Sequence, residues 1–113
     1  MINQIMKCLN IYIWAKDKNY KYIYCNERFA EAAGLDSPEQ IVGKSDMQLP
    51  WKKFAGYYQV DDYGVLQGNV PVATDTVTNI KEVLVSETQL FNNNKQCIGV
   101  TGSYVDITVD AID

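Results

Sequence analysis

The apolar residues at the start of the chain recur at helical spacing. Four side chains at positions i, i+3, i+4 and i+7 line one face of a short helix: Ile2, Ile5, Met6 and Leu9. The pattern predicts an amphipathic lead-in helix within residues 1–10. Its stripe either packs on the chain's own domain or contacts a partner subunit.

Two runs of aromatic and β-branched residues, 11–16 and 20–25, are typical of strands. Turn chemistry at residues 17–19 separates them, so the runs predict a β-hairpin. Alternation predicts one face with Ile11, Ile13 and Ala15 and an opposite face with Tyr12, Trp14 and Lys16. The second face is amphipathic and needs only partial cover, which the lead-in helix would supply.

Capping signals divide the middle of the chain into short helices. Asn26 precedes Glu27 as an N-cap, and Gly34 is typical of a helix end. Residues 37–40 have the S-x-x-Q form of a capping box, and Ser45 begins a second such signal. We therefore expect several brief helical segments before residue 50.

A longer helix is predicted from about residue 51 to residue 67. Its stripe at helical spacing consists of Trp51, Phe54, Ala55, Tyr58, Val65 and Leu66. Asp62 falls on the same stripe. A carboxylate there needs a hydrogen-bond partner or a place at the rim, because burying it unpaired is costly.

Beyond Pro71 the chain becomes rich in valine and threonine. Residues 72–80, 81–91 and 96–105 predict three strands, with a turn at residues 92–94. Two strands, several short helices and three strands favour an antiparallel sheet with the helices on one side, an α+β fold.

Composition narrows the function. The 113 residues suit one domain, and a net charge of −4 without any cationic run disfavours a nucleic-acid partner. The first ten residues lack the apolar stretch of a signal peptide or membrane span, so we expect no membrane contact from this segment and a cytoplasmic location.

The chain contains no histidine and three widely spaced cysteines, Cys8, Cys25 and Cys97. This excludes His-ligated haem, zinc sites with imidazole ligands and Ser-His or Cys-His nucleophiles. We expect no metal site. Cys25 and Cys97 are typical of small apolar strand residues, and a redox-sensing thiol is the alternative.

The order of these segments resembles the PAS domain family over residues 11–108. The matching pieces are IYIWAKDKNYKYIYCN, ERFAEAAGL, SPEQIVGKSDMQLPW, DDYGVLQG and IGVTGSYVDIT. The resemblance implies a five-stranded antiparallel sheet in the order 2-1-5-4-3, with short helices capping one face over a ligand cavity. It also implies that Asp106, Ile107 and Thr108 relay the signal into a helix beginning at residues 109–113, so that the chain is part of a longer signalling protein.

Candidate residues follow from this resemblance. The ligand-pocket candidates are Ile13, Ile23, Phe29, Phe54, Tyr58, Asp62, Ser86, Thr88, Thr101 and Ser103. The candidates for a homodimer contact are Ile2, Ile5, Met6, Leu9, Tyr12 and Trp14, within a patch that also includes Tyr22 and Tyr24. The strand hydroxyls either orient a ligand or face solvent, and Asp46 is expected to serve the turn in which it lies.

The sequence does not identify a cofactor. Flavin-binding relatives carry a reactive cysteine on the cap helices, whereas GKSDMQLPW has none, so flavin-cysteinyl photochemistry is not expected. A small organic ligand is the expected partner, and no catalytic residue is predicted.

The sequence predicts a non-enzymatic sensory PAS domain that relays a signal to a C-terminal effector, with a histidine kinase as the first expectation. The alternative is a ligand-free dimerisation module of a transcription regulator or diguanylate cyclase. A remote alternative is a small α+β enzyme with Asp46, Asp61 or Asp62 as general base.

Overall fold

A single antiparallel sheet organises the chain. The computed structural model describes residues 1–68, 72–78 and 81–106, with only the backbone described at residues 3, 7, 72–78, 81–83 and 106. The strands are β1 Ile11–Asp17, β2 Tyr22–Cys25, β3 Val72–Thr78, β4 Lys81–Phe91 and β5 Cys97–Asp106, and they lie in the order β2-β1-β5-β4-β3. The last strand lies at the centre, where it pairs with both β1 and β4.

The helical layer is less regular than the sequence predicts, and the expected fold is corrected on this point. Three α-helices occur in the described residues: α1 Ile2–Cys8, α2 Glu27–Ala32 and α3 Ala55–Leu66. The remaining cap segments are single 3₁₀ turns at Pro38–Ile41, Asp46–Gln48 and Lys52–Phe54.

The expected helix from residue 51 therefore begins four residues later, at Ala55. The Phe54 amide donates to the Trp51 carbonyl at 2.9 Å, an i to i−3 bond of the 3₁₀ type. No side chain caps this start, and a tighter first turn satisfies the backbone in its place.

The β1–β2 and β4–β5 turns, which the sequence predicts, each use an Asx side chain. Asp17 Oδ1 accepts from the amides of Asn19 and Lys21, and Asn92 Oδ1 accepts from those of Asn94 and Gln96. Tyr20 has a φ of 63°, which ends the turn and delays the start of β2 to Tyr22.

The two faces of the sheet follow from the strand register. Trp14, Gly102 and Glu87 are paired across β1, β5 and β4, so they share one face. Phe29 of α2 packs on Trp14 with ring centroids 5.9 Å apart, which identifies this as the face under the cap. The core between cap and sheet consists of Trp14, Tyr22, Cys25, Phe29, Ala30, Ala33, Ile41 and Leu49.

The hairpin alternation is confirmed, but the covered face is the opposite of the expected one. Trp14, Lys16 and Tyr22 are buried, with 6%, 2% and 3% of their surfaces exposed. The expected exposed patch is therefore wrong at Trp14 and Tyr22. Indole and phenol rings provide the large apolar area that the cap helices cover.

Asn26 joins β1 to α2. Its Oδ1 accepts from the amides of Phe29 and Ile13, both at 3.1 Å, and its Nδ2 donates to the Ile11 carbonyl at 2.9 Å. The residue is buried, so all three bonds are shielded from water. The predicted N-cap is confirmed, and the same side chain also holds the first strand.

We predict that Asn26→Ala lowers the free energy of unfolding by about 2 kcal/mol, because it removes an N-cap and leaves buried backbone groups without hydrogen-bond partners. Urea denaturation followed by far-UV circular dichroism measures the change. Asn94→Ala is the matched control, since Asn94 is exposed and contributes only its amide to the turn. Equal effects of the two substitutions would contradict the bridging role.

Candidate functional site

A buried lysine connects the sheet to the cap. Lys16 of β1 directs Nζ to Asp46 Oδ2 and to Asp62 Oδ2, each at 2.7 Å. Asp46 lies in the second 3₁₀ turn and Asp62 in α3, and all three residues are buried. Three separate elements therefore meet at one ammonium group.

The second oxygen of Asp46 is also occupied. Asp46 Oδ1 accepts from the Tyr22 hydroxyl at 2.6 Å and from Trp51 Nε1 at 2.7 Å. The expectation that the Asp46 side chain serves the turn in which it lies is wrong, because its carboxylate accepts from these donors and from Lys16. Each carboxylate oxygen of Asp46 has a partner, as a buried charge requires.

Electrostatics keep the lysine charged and the tyrosine neutral. Burial lowers the pKa of Lys16, but the negative charges of Asp62 and Asp46 outweigh it and raise that pKa above its ordinary value. Burial, followed by the charge of Asp46, raises the pKa of Tyr22 well above its ordinary value. Tyr22 therefore remains a hydrogen-bond donor.

A further carboxyl group lies beside this lysine. Glu87 of β4 is only 8% exposed, and its carboxyl interacts with that of Asp62. Burial, then the charge of Asp62, raises the pKa of Glu87 from 4.5 to about 8. Glu87 thus holds a proton at neutral pH. Lys16, Asp46, Asp62 and Glu87 together are the buried charge cluster.

Two buried polar atoms lack a hydrogen-bond partner among the described residues: Trp14 Nε1 and Glu87 Oε2. Both residues pair with Gly102, so both side chains belong to one row across β1, β5 and β4. A Cβ on Gly102 would lie 2.6 Å from Trp14 Cζ2, so the indole occupies the space that a side chain there would fill. This row is next to the charge cluster, under the cap.

The predicted pocket residues fall on both faces of the sheet. Phe29, Phe54, Tyr58 and Asp62 belong to cap elements, and the rings of Phe54 and Tyr58 lie 6.4 Å apart. Five strand positions lie on the face away from the cap: Ile13, Ser86, Thr88, Thr101 and Ser103. Ile23 of β2 lies opposite a register shift and is 39% exposed. Side chains alternate along a strand, so positions one residue from Trp14, Glu87 and Gly102 point away from the cap.

The predicted dimer residues are also divided. Ile2, Ile5 and Leu9 are 63%, 46% and 52% exposed, and Met6 is half-buried. Tyr12 instead stacks on Tyr104 of β5, with ring centroids 4.3 Å apart, and Trp14 is in the core. Tyr12 and Trp14 of β1 are therefore not part of the exposed apolar surface at α1.

The predicted relay tripeptide lies at the end of the described residues. Asp106 is the last residue of β5. Ile107, Thr108 and the expected outgoing helix at residues 109–113 lie outside the described ranges.

The surroundings of Cys25 and of the three predicted general bases bear on the enzymatic alternative. Burial, followed by the charge of Glu39, raises the pKa of Cys25 to about 11, so its thiol is a poor nucleophile at neutral pH. Asp46 and Asp62 are bound to Lys16, and Asp61 is exposed and engaged in an interaction of its own. The enzymatic alternative gains no support from these positions.

A groove of about 470 Å³ opens between α1, the β2 edge and α2. Four carboxylates line it: Glu27, Glu31, Asp36 and Glu39. It is separate from the buried charge cluster.

Neither a metal-binding cluster nor a membrane-spanning helix occurs in the part of the chain that the structure describes. Among the described residues, no group of three or more His, Cys, Asp or Glu side chains is arranged to hold a metal ion. Within those same ranges, every helix is too short or too polar to cross a bilayer.

We predict that Glu87→Gln removes most of the pH dependence of stability between pH 5 and pH 8. In that window the unfolded chain binds fewer protons than the folded one, so wild-type stability falls as the pH rises, by about 3 kcal/mol. Glutamine keeps a donor for Asp62 and cannot ionise. Urea denaturation at pH 5 and pH 8 measures the slope, with Glu31→Gln, an exposed glutamate, as control. Parallel slopes for all three proteins would contradict the assignment.

Comparisons with known proteins address the fold. A family model described as PAS fold matches residues 8–111. No curated protein matches the sequence. The structure of a VqmA–ligand–DNA complex from Vibrio cholerae is similar, with 23% identity and a TM-score of 0.80 over 99% of this chain and 54% of that chain.

Two further solved structures are similar. One is a Vibrio cholerae VqmA dimer without target DNA, with 24% identity and a TM-score of 0.82 over 100% of this chain and 54% of that one. The other is a sensory box sensor histidine kinase from Vibrio cholerae, with 12% identity and a TM-score of 0.73 over 96% and 90% of the two chains.

These likenesses show the fold. The chain spans about half the length of the VqmA chains, 54% in each of the two. Since one of these structures contains DNA, the expectation that excludes a nucleic-acid partner is not supported. Since both a regulator and a kinase are similar, the histidine kinase is not specifically supported either.

Proposed function

The chain belongs to the PAS fold family, whose domains are sensory and regulatory modules, and from this membership we propose that it binds a small organic ligand between cap and sheet. Ligand occupancy would then be relayed to an effector that follows the domain. The observation that carries this proposal is the buried charge cluster, because it joins the cap to the two strands that flank β5.

The relay follows from the topology. Lys16 of β1 donates a hydrogen bond to Asp62 of α3, and Glu87 of β4 interacts electrostatically with the same carboxylate. A ligand that displaces α3 would shift both neighbours of β5 at once, and β5 leads to Asp106. Asp106, Ile107 and Thr108 would carry this shift out of the domain. A buried ionic link suits this role, because its short bonds favour discrete arrangements over gradual ones.

The effector is proposed to be either a DNA-binding domain or a histidine kinase. The similar VqmA and sensor kinase structures support these two types. The likeness to VqmA covers nearly the whole of this chain and leaves about half of that protein for a separate function. We also propose a homodimer through α1 and the residue that follows it, supported by the exposed Ile2, Ile5 and Leu9 and by the VqmA dimer.

Native mass spectrometry tests ligand binding. The domain is purified without denaturation from its host, and its native mass is compared with its denatured mass. We expect a difference equal to one small organic molecule per domain. Equal masses, together with no rise in melting temperature on addition of a host metabolite extract, would contradict the proposal.

The relay is tested in the full-length protein. We expect Asp106→Ala to abolish the ligand dependence of the output while the ligand still binds. Asp36→Ala is the matched control, since Asp36 is exposed and distant from β5 in sequence. An unchanged ligand response in Asp106→Ala would contradict the relay.

A further inference from the structure

The helix α3 is held on the sheet with little apolar contact. Of its 12 residues only Ala55, Asp62 and Val65 are buried, and one of these three is a carboxylate. The structure describes every residue of α3, and none of them belongs to the core between cap and sheet. An element that buries so little apolar surface opens at a low free-energy cost, separately from the rest of the fold.

The helix is also weak by itself. No side chain caps its start, no acidic residue lies in its first turn, and no basic residue lies in its last turn. The partial charges at the two helix ends are therefore not compensated by its own terminal residues. Gly56 and Gly64 lie inside the helix, and glycine favours the unfolded backbone more than alanine does. The docked position of α3 thus depends on its contacts with the sheet.

Polar contacts attach α3 to the strands on both sides of β5. Asp62 Oδ2 accepts from Lys16 Nζ of β1 at 2.7 Å. One helical turn later, the Leu66 carbonyl accepts from Gln89 Nε2 of β4 at 3.1 Å. The helix therefore lies across β5, and a change of charge beneath it acts on its docking as a whole.

Glu87 lies beneath this helix. It is two residues before Gln89 on β4, so the two side chains share the face under the cap. Glu87 is 8% exposed, and its Oε2 has no hydrogen-bond partner among the described residues. Ionisation there would create a buried charge without a partner, which favours any arrangement in which water reaches the carboxylate.

The charges around Glu87 oppose its ionisation. Burial raises the pKa of Glu87 most, the charges of Asp62 and Asp61 on α3 raise it further, and Lys16 of β1 lowers it. Lys16 is already shared by Asp62 and Asp46, so the three groups carry a net charge of −1 before Glu87 ionises. Loss of the Glu87 proton would therefore double the negative charge of the buried charge cluster.

The other elements packed near Glu87 supply no compensating cation among the described residues. Gly102 of β5 lies opposite Glu87 and has no side chain, and β3 begins opposite Ser86. The pKa values of Lys16 and of Tyr22 on β2 are both raised, so neither group loses its proton near neutrality. The protonation of Glu87 is thus the change that this cluster undergoes as the pH rises through neutrality.

We propose that α3 is a proton-controlled lid, which docks on the sheet while Glu87 carries a proton and detaches when that proton passes to solvent. The O–H bond of the carboxyl is the only covalent bond that breaks, and water takes up the proton. The proton is then an input to the domain in addition to the ligand proposed above, and the lid does not depend on that ligand.

The direction of the effect follows from the two protonation equilibria. In the detached state Glu87 is solvated with its ordinary pKa of 4.5, whereas in the docked state its pKa is about 8. Between these values the docked state holds one more proton, so opening becomes up to about tenfold more frequent per pH unit. We expect opening of α3 to increase by about 50- to 100-fold from pH 5.5 to pH 7.5 and to level off above pH 8.

Hydrogen exchange of the whole chain, followed by ¹⁵N–¹H NMR from pH 5.5 to pH 7.5, measures this opening. Each rate is compared with that of an unstructured peptide at the same pH, which removes the intrinsic pH dependence of exchange. We expect the amides of Asp62 and Val65 to lose protection by the factor given above. At every pH they should be less protected than the amides of the central strand β5, because the helix opens without the sheet.

Three variants make the result specific. Glu87→Gln cannot ionise, so its α3 amides should keep the same protection from pH 5.5 to pH 7.5. Glu31→Gln is the matched control and should retain the wild-type slope, since Glu31 is exposed. Gly56→Ala strengthens α3 at a position with no atom within 4 Å of a built Cβ. It should make opening about 2- to 5-fold rarer at each pH and leave the slope unchanged.

Three results would overturn the lid. The first is protection of the α3 amides that does not change with pH in the wild type. The second is equal protection of α3 and β5, which would mean that the helix opens only when the whole domain unfolds. The third is a Glu87→Gln protein that keeps the wild-type slope, because another group would then be responsible for it.

Discussion

Lys16→Met is expected to lower the free energy of unfolding by about 3 to 5 kcal/mol. Methionine fills a similar volume but leaves the carboxylates of Asp46 and Asp62 buried without their shared cation. Removing one partner from a buried ionic group is far more damaging than replacing the whole group by apolar residues. Urea denaturation at pH 7, followed by far-UV circular dichroism, measures the loss.

Two further variants make this result specific. Lys18→Met is the matched control, because Lys18 is an exposed turn residue and should change stability by less than about 0.5 kcal/mol. The double variant Lys16→Met/Asp62→Asn should recover part of the loss, because it removes one unpaired charge. If Lys16→Met were as stable as Lys18→Met, the cluster would not be a stabilising link between cap and sheet.

Gly99→Ala is expected to destabilise the fold by about 3 kcal/mol or more. A Cβ at Gly99 would collide with the Lys16 carbonyl oxygen and would lie 3.0 Å from Asp17 Cα. These are backbone atoms of the paired strand, and they can move only if the β1–β5 pairing opens. Overpacking against backbone has no flexible side chain to absorb it.

Replacement of glycine by alanine at an open helical position should instead raise the stability of the domain. Gly56 lies in α3 with no atom within 4 Å of a built Cβ, so Gly56→Ala should stabilise the domain by about 0.5 to 1 kcal/mol. Thermal unfolding compares the two, and about 4 to 8 °C in melting temperature corresponds to 1 kcal/mol for a domain of up to about 100 residues. A Gly99→Ala protein that melts with the wild type would show that β1 and β5 are not so closely paired.

Local signals in the sequence predicted the elements well. The Asx turn at Asp17, the N-cap at Asn26 and the strand runs depend on neighbouring residues, and each is found where the pattern indicates. The regularity of the cap was overestimated, because helical spacing does not distinguish an α-helix from a 3₁₀ turn over so few residues.

The site was less predictable, because it depends on which face is covered. Alternation separates two faces of β1, but a lysine beside a tryptophan is typical of a surface. Its partners Asp46 and Asp62 lie 30 and 46 residues away, so nothing local indicates its burial. Asp62 was identified because a carboxylate on an apolar stripe needs a partner, and that partner is in the sheet.

Glu87 and the strand glycines were missed for a related reason. Glu87 alternates with hydroxyl residues that drew attention to the wrong face, and only the register with Gly102 brings it beside Trp14. A glycine in a strand often marks a close approach of other atoms, and that signal at Gly99 and Gly102 was available in the sequence.

The raised pKa of Glu87 has a thermodynamic consequence for any calorimetric study of this domain. At pH 7 the unfolded chain has released the proton that the folded chain still holds, with pKa values of 4.5 and about 8, so folding takes up nearly one proton from the buffer. The heat absorbed on unfolding then includes the protonation heat of the buffer species. The enthalpies of unfolding measured in phosphate and in Tris should therefore differ, although the polypeptide undergoes the same transition in both buffers.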